Sequence, residues 1–367
     1  MSIKIVTVVG ARPQFIKAAA VSRAIRADRS GELREVIVHT GQHFDDNMSK
    51  VFFDELEIPA PDHDLEIAGG THGAMTGRML IAIEEVLVEE RPDWVLVYGD
   101  TNSTLAGALA AAKLQLPVAH VEAGLRSFNR DMPEEINRIV TDRIASRLFC
   151  PTQAAVTQLE REGIREGVSW TGDVMYDVSL FYRDRARERS RILSELGLAP
   201  GSFVLATCHR AHNTDHPVRL AAIVSALSEL SRQLPVVLPL HPRTRAAIDA
   251  SGLRSRLAGV TVVEPLPFLD MVALEQAARL IVTDSGGVQK EAYFFRVPCL
   301  TLRDETEWTE TVTAGWNTLV RVDDGAICER ALDILSRSAS DQTPSDNNCY
   351  GTGDAAGKIV ANLAGRN

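Results

Sequence analysis

Two carboxylates close apolar runs in the first half of this 367-residue chain, where a charged group is out of place. Glu122 follows Ala119-His120-Val121 and precedes Ala123-Gly124, and carboxylates are rarely buried without a partner. Arg126 is one available partner, which would make the pair structural; the other reading is a group that moves protons. Asp100 follows Tyr98-Gly99 and opens a polar run to Thr104. Its plainest role is a helix N-cap, and on this segment alone the cap is the better reading. Glu134 and Glu135 follow Pro133 at a predicted helix start. Acids there favour the helix dipole, so at least one of the two has a structural task.

A second set of residues suits phosphate. Gly10-Ala11-Arg12-Pro13 follows the first apolar run: Gly10 permits a tight turn, Pro13 suits a first helical turn, and Arg12 stands at that helix start with Lys17 five residues on. The plain alternative is a strand-to-helix turn carrying a surface arginine. His209-Arg210 follows another apolar run, where a histidine beside an arginine can donate to phosphate or shuttle a proton. His209, His212 and His216 fall close together, but no second ligand cluster supports a metal. Asp284-Ser285-Gly286-Gly287 between an apolar run and a helix is the pattern of a backbone phosphate cradle. Glu291 lies one turn above Gly287, where its two oxygens can accept both hydroxyls of a ribose. No G-x-G-x-x-G accompanies any of these turns, so the dinucleotide fingerprint is missing.

The elements that must position these groups are short β-branched runs alternating with helical periods. Ile3–Val9, Glu35–His39, Trp94–Tyr98, Pro117–Val121 and Leu148–Pro151 read as strands of the first half, with helices over Ala74–Glu89 and Leu105–Leu114. Phe203–Thr207, Val236–Leu240, Val260–Val263, Leu280–Thr283 and Pro298–Leu302 restart the rhythm. The fold class is therefore α/β, with two Rossmann-like domains on parallel sheets. The first domain spans 1–172, a charged helical segment at 173–200 connects, and the second domain spans 201–352. Open parallel sheets bind ligands beyond the carboxyl ends of their strands, which puts the active site in the cleft between the domains.

Bulk properties narrow the partners. A formal charge of −10 and the lack of a Lys/Arg run exclude a nucleic-acid face, yet a few placed cations still suffice for a diphosphate. Five cysteines without a CxxC pair, and a start without a signal-peptide layout, point to a reduced cytoplasmic protein. No apolar run reaches the roughly 18 residues of a membrane helix.

Taken together, the motifs resemble the non-hydrolysing UDP-N-acetylglucosamine 2-epimerases. The matching segments are Gly10–Lys17, Thr40–His43, Val97–Thr104, His120–Ser127, Met132–Arg138, the His209-Arg210 pair, Thr283–Ala292, Arg303–Trp308 and the tail Tyr350–Asp354. The resemblance implies a glycosyltransferase-B-like architecture, a C-terminal helix at about 353–367 packing back on the first domain, and a homodimer. It implies inversion at C2 of UDP-N-acetylglucosamine by elimination of UDP to a 2-acetamidoglucal and re-addition from the other face, without metal or redox cofactor. Asp100, Glu122 and Glu134 match the catalytic carboxylates of the family. Lys17 and His209 join them around the leaving diphosphate, and Arg12, Arg210, Ser285, Gly286, Gly287, Glu291 and Arg303 match substrate-binding positions.

Two departures qualify the match. His212 stands where family members commonly carry a glutamate. Together with Ala211 it breaks a region that, with Gln42 and His43, binds an activating second nucleotide sugar in many bacterial members. Trp308 stands where many members have Arg-Pro, which marks a subgroup that includes enzymes acting on UDP-2,3-diacetamido-2,3-dideoxyglucuronate. UDP-N-acetylglucosamine is the leading substrate on this reading and the diacetamido-uronate the second. A hydrolysing epimerase releasing UDP, a glycosyltransferase on the shared fold and a non-catalytic sensor are the remaining alternatives.

Overall fold

The computed structural model describes residues 2–28, 31–42, 60–337 and 348–366. The chain divides into two compact units, Met1–Val178 with Asn348–Asn367, and Ser179–Asn347. Helix Val174–Arg189 carries the chain from one to the other.

The first unit is built on seven parallel strands: β1 (Ile3–Val9), β2 (Leu33–His39), β3 (His63–Asp64), β4 (Trp94–Tyr98), β5 (Val118–Val121), β6 (Arg147–Cys150) and β7 (Val168–Trp170). Their order is β3-β2-β1-β4-β5-β6-β7. The chain therefore winds outward from β1, returns, and winds the other way from β4. Beyond the carboxyl ends of β1 and β4 lies the topological switch point, where parallel sheets open a crevice. Burial on both faces explains why the inner residues of β1 and β4 are mostly Val, Ile and Leu. Helix Asn102–Lys113 approaches β1 closely because its inner face is alanine and glycine; a Cβ on Gly107 would stand 3.2 Å from Val8. Helix Arg12–Ala27 buries Phe15, Ala18, Ala19, Ser22 and Ile25, a stripe at helical spacing. The C-terminal helix Ala355–Leu363 packs on that helix, and Arg366 pairs with Asp28 at 3.0 Å. Its first amides, Ala355 N and Ala356 N, donate to Asp177.

The second unit repeats the plan with six parallel strands: β8 (Val204–Thr207), β9 (Val236–Pro239), β10 (Thr261–Val263), β11 (Leu280–Thr283), β12 (Cys299–Thr301) and β13 (Asn317–Leu319). The order β10-β9-β8-β11-β12-β13 places its switch point between β8 and β11. Its core packs Leu220, Ile223, Val224 and Leu227 of helix Pro217–Leu230 against Val204, Leu238 and Val282 of the sheet. Each such side chain contributes about 1.5–3 kcal/mol on burial.

All ten predicted strands form, most shifted by one or two residues at an end. The strands that the pattern did not indicate, β3, β7 and β13, have two or three residues and lie at or next to sheet edges. So short a run has no alternation to read. Among the described residues, no helix is long and apolar enough to cross a membrane.

Candidate active site

In the first unit three loops beyond strand ends converge. The turn after β1 is held by Gln14, whose side-chain oxygen accepts from Gly10 N (2.9 Å) and Ala11 N (3.0 Å). Its amide donates to Tyr98 O and Thr104 Oγ1 of the β4 loop. One buried side chain thus locks the loops after β1 and β4 together. Gly10 is required for space rather than for its turn: a Cβ there would stand 2.0 Å from Thr40 Oγ1 and 2.2 Å from Ser103 Oγ.

Glu122 lies 7% exposed with its carboxylate on Lys17 Nζ. Its φ of 73° is left-handed, a conformation costing about 1–3 kcal/mol outside glycine. The neighbourhood imposes it: Glu122 N and Ala123 N both donate to Phe149 O. Gly124 follows at φ 81° with Ala155 O where a Cβ would sit. Gly99, also left-handed, leaves room for the pair, since its Cβ would approach Glu122 Oε2 and Lys17 Nζ at 3.3 and 3.4 Å. Arg126 is not the partner of Glu122. It pairs instead with Asp142 (2.7 Å) and Glu162 (2.8 Å).

Asp100 is not the helix cap that its position suggested. Thr101 takes that place, its hydroxyl accepting from Thr104 N, because Asp100 still belongs to the turn begun at Gly99. Asp100 instead bonds Arg138. Burial pushes its carboxyl above the usual range, Lys17 and Arg138 pull against that, and Glu122 and Glu134 add to it. These five groups therefore share one electrostatic neighbourhood.

Helix Pro133–Ile144 resolves the pair of acids at its start. Glu135 is the structural one: it is 1% exposed and accepts from Ser127 N, Ser127 Oγ, Phe128 N and Arg138. Burial opposes its charge, but those bonds outweigh burial and hold it below the usual range. Glu134, half-buried beside it, is the one left to face Asp100 electrostatically. Arg138 and Asn137, which sequence reasoning did not single out, grip the Asp100 loop; Asn137 Nδ2 donates to Asp100 O at 2.9 Å.

Behind the loops lies fully buried His120. Nε2 donates to Gly99 O (2.8 Å), an atom that can only accept, and Nδ1 meets Asp142 at 2.7 Å. Asp142 also accepts from Gly124 N and Arg126. Burial works against its charge, and His120 and Arg126 overcome that, so its carboxyl stays below the usual range. This cluster fixes β5 against the Gly99 turn, and so Glu122 against Asp100. Only tertiary contact reveals it, since His120 and Asp142 are far apart in sequence.

In the second unit the loops after β8 and β11 meet at Asp284, which is wholly buried. It accepts from His209 N, Arg210 N and Asn213 Nδ2 at 3.0–3.1 Å, while His209 Nδ1 lies 3.4 Å away. Ser285 caps helix Gly286–Phe294 through Val288 N. Arg303, with Nη2 on Glu307 at 2.9 Å, reaches over Gly286. Burial and the like charge of Arg303 lower Arg210, so two guanidiniums stand together. Glu291 is pushed up to about 7 by burial, against the pull of Lys290. Glu275, 2% exposed on the preceding helix, is raised by burial and by Glu291. His212 packs edge-on against His216, ring centres 5.7 Å apart.

The structure thus brings Lys17, Asp100, Glu122 and Glu134 together in one unit and His209, Arg210, Ser285, Gly286, Gly287, Glu291 and Arg303 around one strand-end region in the other. Arg12 is the exposed first residue of its helix. Gln42 accepts from Ser103 N and Oγ, whereas His43 lies outside the described residues.

Similarity to known proteins covers nearly the whole chain. The family profile described as UDP-N-acetylglucosamine 2-epimerase matches residues 24–364. The UDP-2,3-diacetamido-2,3-dideoxy-D-glucuronate 2-epimerase of Pseudomonas aeruginosa is 54% identical, over 98% of this chain and 99% of that protein. The UDP-N-acetylglucosamine 2-epimerase of Methanocaldococcus jannaschii is 41% identical, over 97% and 98%. The crystal structure of the UDP-GlcNAc 2-epimerase of that organism, in complex with UDP-GlcNAc and UDP, matches with a TM-score of 0.84 at 40% identity, covering 99% of each chain.

Proposed function

The chain belongs to the UDP-N-acetylglucosamine 2-epimerase family, with two parallel-sheet α/β domains of the glycosyltransferase-B kind, and from that premise we propose that it inverts C2 of a UDP-linked 2-acetamido sugar. The observation that carries the reading is the carboxylate group of the first unit: Asp100, Glu122 and Glu134 with Lys17 and Arg138 in one electrostatic neighbourhood.

The C2 hydrogen is not acidic enough for direct exchange, so the reaction goes by elimination. A carboxylate takes the C2 proton as the C1–O bond breaks and UDP leaves; C1 and C2 become a double bond. Re-addition of UDP with proton delivery to the opposite face gives the C2 epimer. Glu122, ion-paired with Lys17, suits the group that accepts. Asp100, pushed towards protonation, suits the group that gives, since acid and base are told apart by opposed environments. Glu134 serves the same exchange from the adjacent helix. Departing UDP carries charge that His209, Arg210 and Arg303 stabilise, and the Ser285–Gly287 turn holds its phosphates. Glu291 holds the ribose. The route calls for neither metal nor redox cofactor.

Between substrates, the larger identity to the diacetamido-glucuronate enzyme makes UDP-2,3-diacetamido-2,3-dideoxy-D-glucuronate the first to test. UDP-N-acetylglucosamine is the second reading, supported by the relatives that bear its name. Each sugar is incubated with purified protein in heavy water and followed by NMR. Deuterium uptake at C2 with a stable equilibrium of two UDP-sugars is expected for one of them. Steady release of free UDP would instead mean a hydrolysing enzyme. Tight UDP binding without any C2 exchange would sink the epimerase reading. A homodimer of 40.1 kDa chains, checked by light scattering, completes the proposal.

A further inference from the structure

We propose that the indole N–H of Trp308 and the guanidinium of Arg303 form a donor pair for an oxyanion of the bound nucleotide sugar, above Gly286. This rests on the reading of the second unit as the nucleotide-binding one. Trp308 is 8% exposed, and its Nε1 is buried without a hydrogen-bond partner; Arg303 Nη1 is buried in the same condition. The two atoms converge. They lie 3.6 and 3.8 Å from the point where a Cβ of Gly286 would be, at the N-terminus of the nine-residue helix Gly286–Phe294, and Glu307 Oε1 borders the same point at 2.8 Å.

An indole N–H donates and cannot accept, so only an acceptor completes it. Left unmet, each buried donor destabilises the protein, which native structures seldom tolerate without a use. The arrangement is also held in place. Trp308 N donates to Thr306 Oγ1 (3.2 Å), which donates to Gln289 Oε1 (2.7 Å). Gln289 is buried on the same helix and donates back to Ser285 O (3.1 Å). Lys290 Nζ sits 4.1 Å from the centre of the Trp308 ring. The indole is thereby fastened to the helix whose N-terminus it faces. A guanidinium beside the indole, with Arg210 next to it, selects an anionic acceptor over a neutral one. Glu307 balances one of these cations through Arg303 Nη2; its Oε1 borders the same place, so the ligand's oxyanion meets Nη1 and the indole N–H where Arg303, Arg210 and Lys290 outnumber that one carboxylate.

An oxyanion at this place has two sources in the proposed substrates, the diphosphate or the C6 carboxylate of a uronate. Calorimetric titration of unaltered protein and Trp308→Phe with UDP, UDP-N-acetylglucosamine and UDP-2,3-diacetamido-2,3-dideoxy-D-glucuronate separates them. Phenylalanine keeps the ring under Lys290 and removes only the donor. If the diphosphate is the acceptor, all three ligands bind about tenfold more weakly. If the carboxylate is the acceptor, only the uronate does. Arg303→Gln must weaken the same ligands as Trp308→Phe. The free Trp308→Phe protein should melt no lower than the unaltered one, because the lost donor had no partner to lose. Unchanged affinity for all three ligands overturns the donor pair, as does a loss in the two variants that falls on different ligands. If the unaltered protein binds none of the three, the nucleotide reading fails and this inference with it; equal binding by both proteins removes only this inference.

Discussion

The two units have the same winding and gather loops beyond the strands at the corresponding switch point, yet their strand ends are finished differently. At β1, β4 and β5 the carboxylates are already paired inside the protein: Glu122 with Lys17, Asp100 with Arg138, Asp142 with Arg126 and His120. At β8 and β11 the backbone is anchored by Asp284, and the loop after β12 buries the charged donor Arg303 Nη1 beside Trp308 Nε1 with nothing to meet, whereas the partnerless Tyr98 Oη at the end of β4 is uncharged. A reaction site must hold its acids and bases in geometry before the substrate arrives, since misplacement costs rate. A binding site can leave its last hydrogen bonds to the ligand. On the proposed function, the first unit supplies the reacting groups and the second the contacts to the nucleotide.

The contrast is tested most severely by Glu122→Gln, which should lower kcat by about 10²- to 10⁴-fold while UDP affinity holds. Asp100→Asn and Glu134→Gln belong to the same class. Near-normal rates in all three would remove the division of labour. Next in size is Asp142→Ala. It strips the acceptor from His120, Arg126 and Gly124 N and should cost about 3–5 kcal/mol in denaturant unfolding, as for a broken buried ion pair. A loss under 1 kcal/mol would mean that the first unit does not depend on this cluster.

The third prediction concerns pH. Glu291 is raised from 4.5 to about 7, so the folded protein binds that proton more tightly than the unfolded chain does. Its contribution to stability is complete below about 4.5 and is lost as pH rises through about 7. Glu291→Gln should flatten that decline in melting temperature between pH 5 and 7.5, with the ligand absent (roughly the window set by linkage). An unchanged slope would remove Glu291 as its source. The smallest effect is on binding: Glu291→Ala should weaken UDP about tenfold and leave kcat at saturating sugar within about twofold. A large fall in kcat instead would place Glu291 with the reacting groups and blur the contrast.

The motifs were legible because chemistry needs particular residue types at strand ends, and the strands announced themselves by β-branched runs. Identity of partners was not legible. Arg126 is nearer to Glu122 in sequence than Lys17 is, yet Lys17 is the partner, because β1 and β5 both flank β4 in the sheet. Asp100 reads as a cap by residue type, but a left-handed Gly99 delays the helix by one residue and hands the cap to Thr101. Glu134 and Glu135 are indistinguishable by type; the amides of Ser127 and Phe128 decide between them.

By itself, then, the sequence determined two parallel α/β folds, the loops that carry function and the family they resemble, since these depend on local period and on residue type. The tertiary structure alone decided which charges meet and which remain open. Strand order brings residues a hundred positions apart to hydrogen-bonding distance, and burial sets what each meeting is worth. The carboxylate that ends β5 began as a group without a reason, and its reason is Lys17.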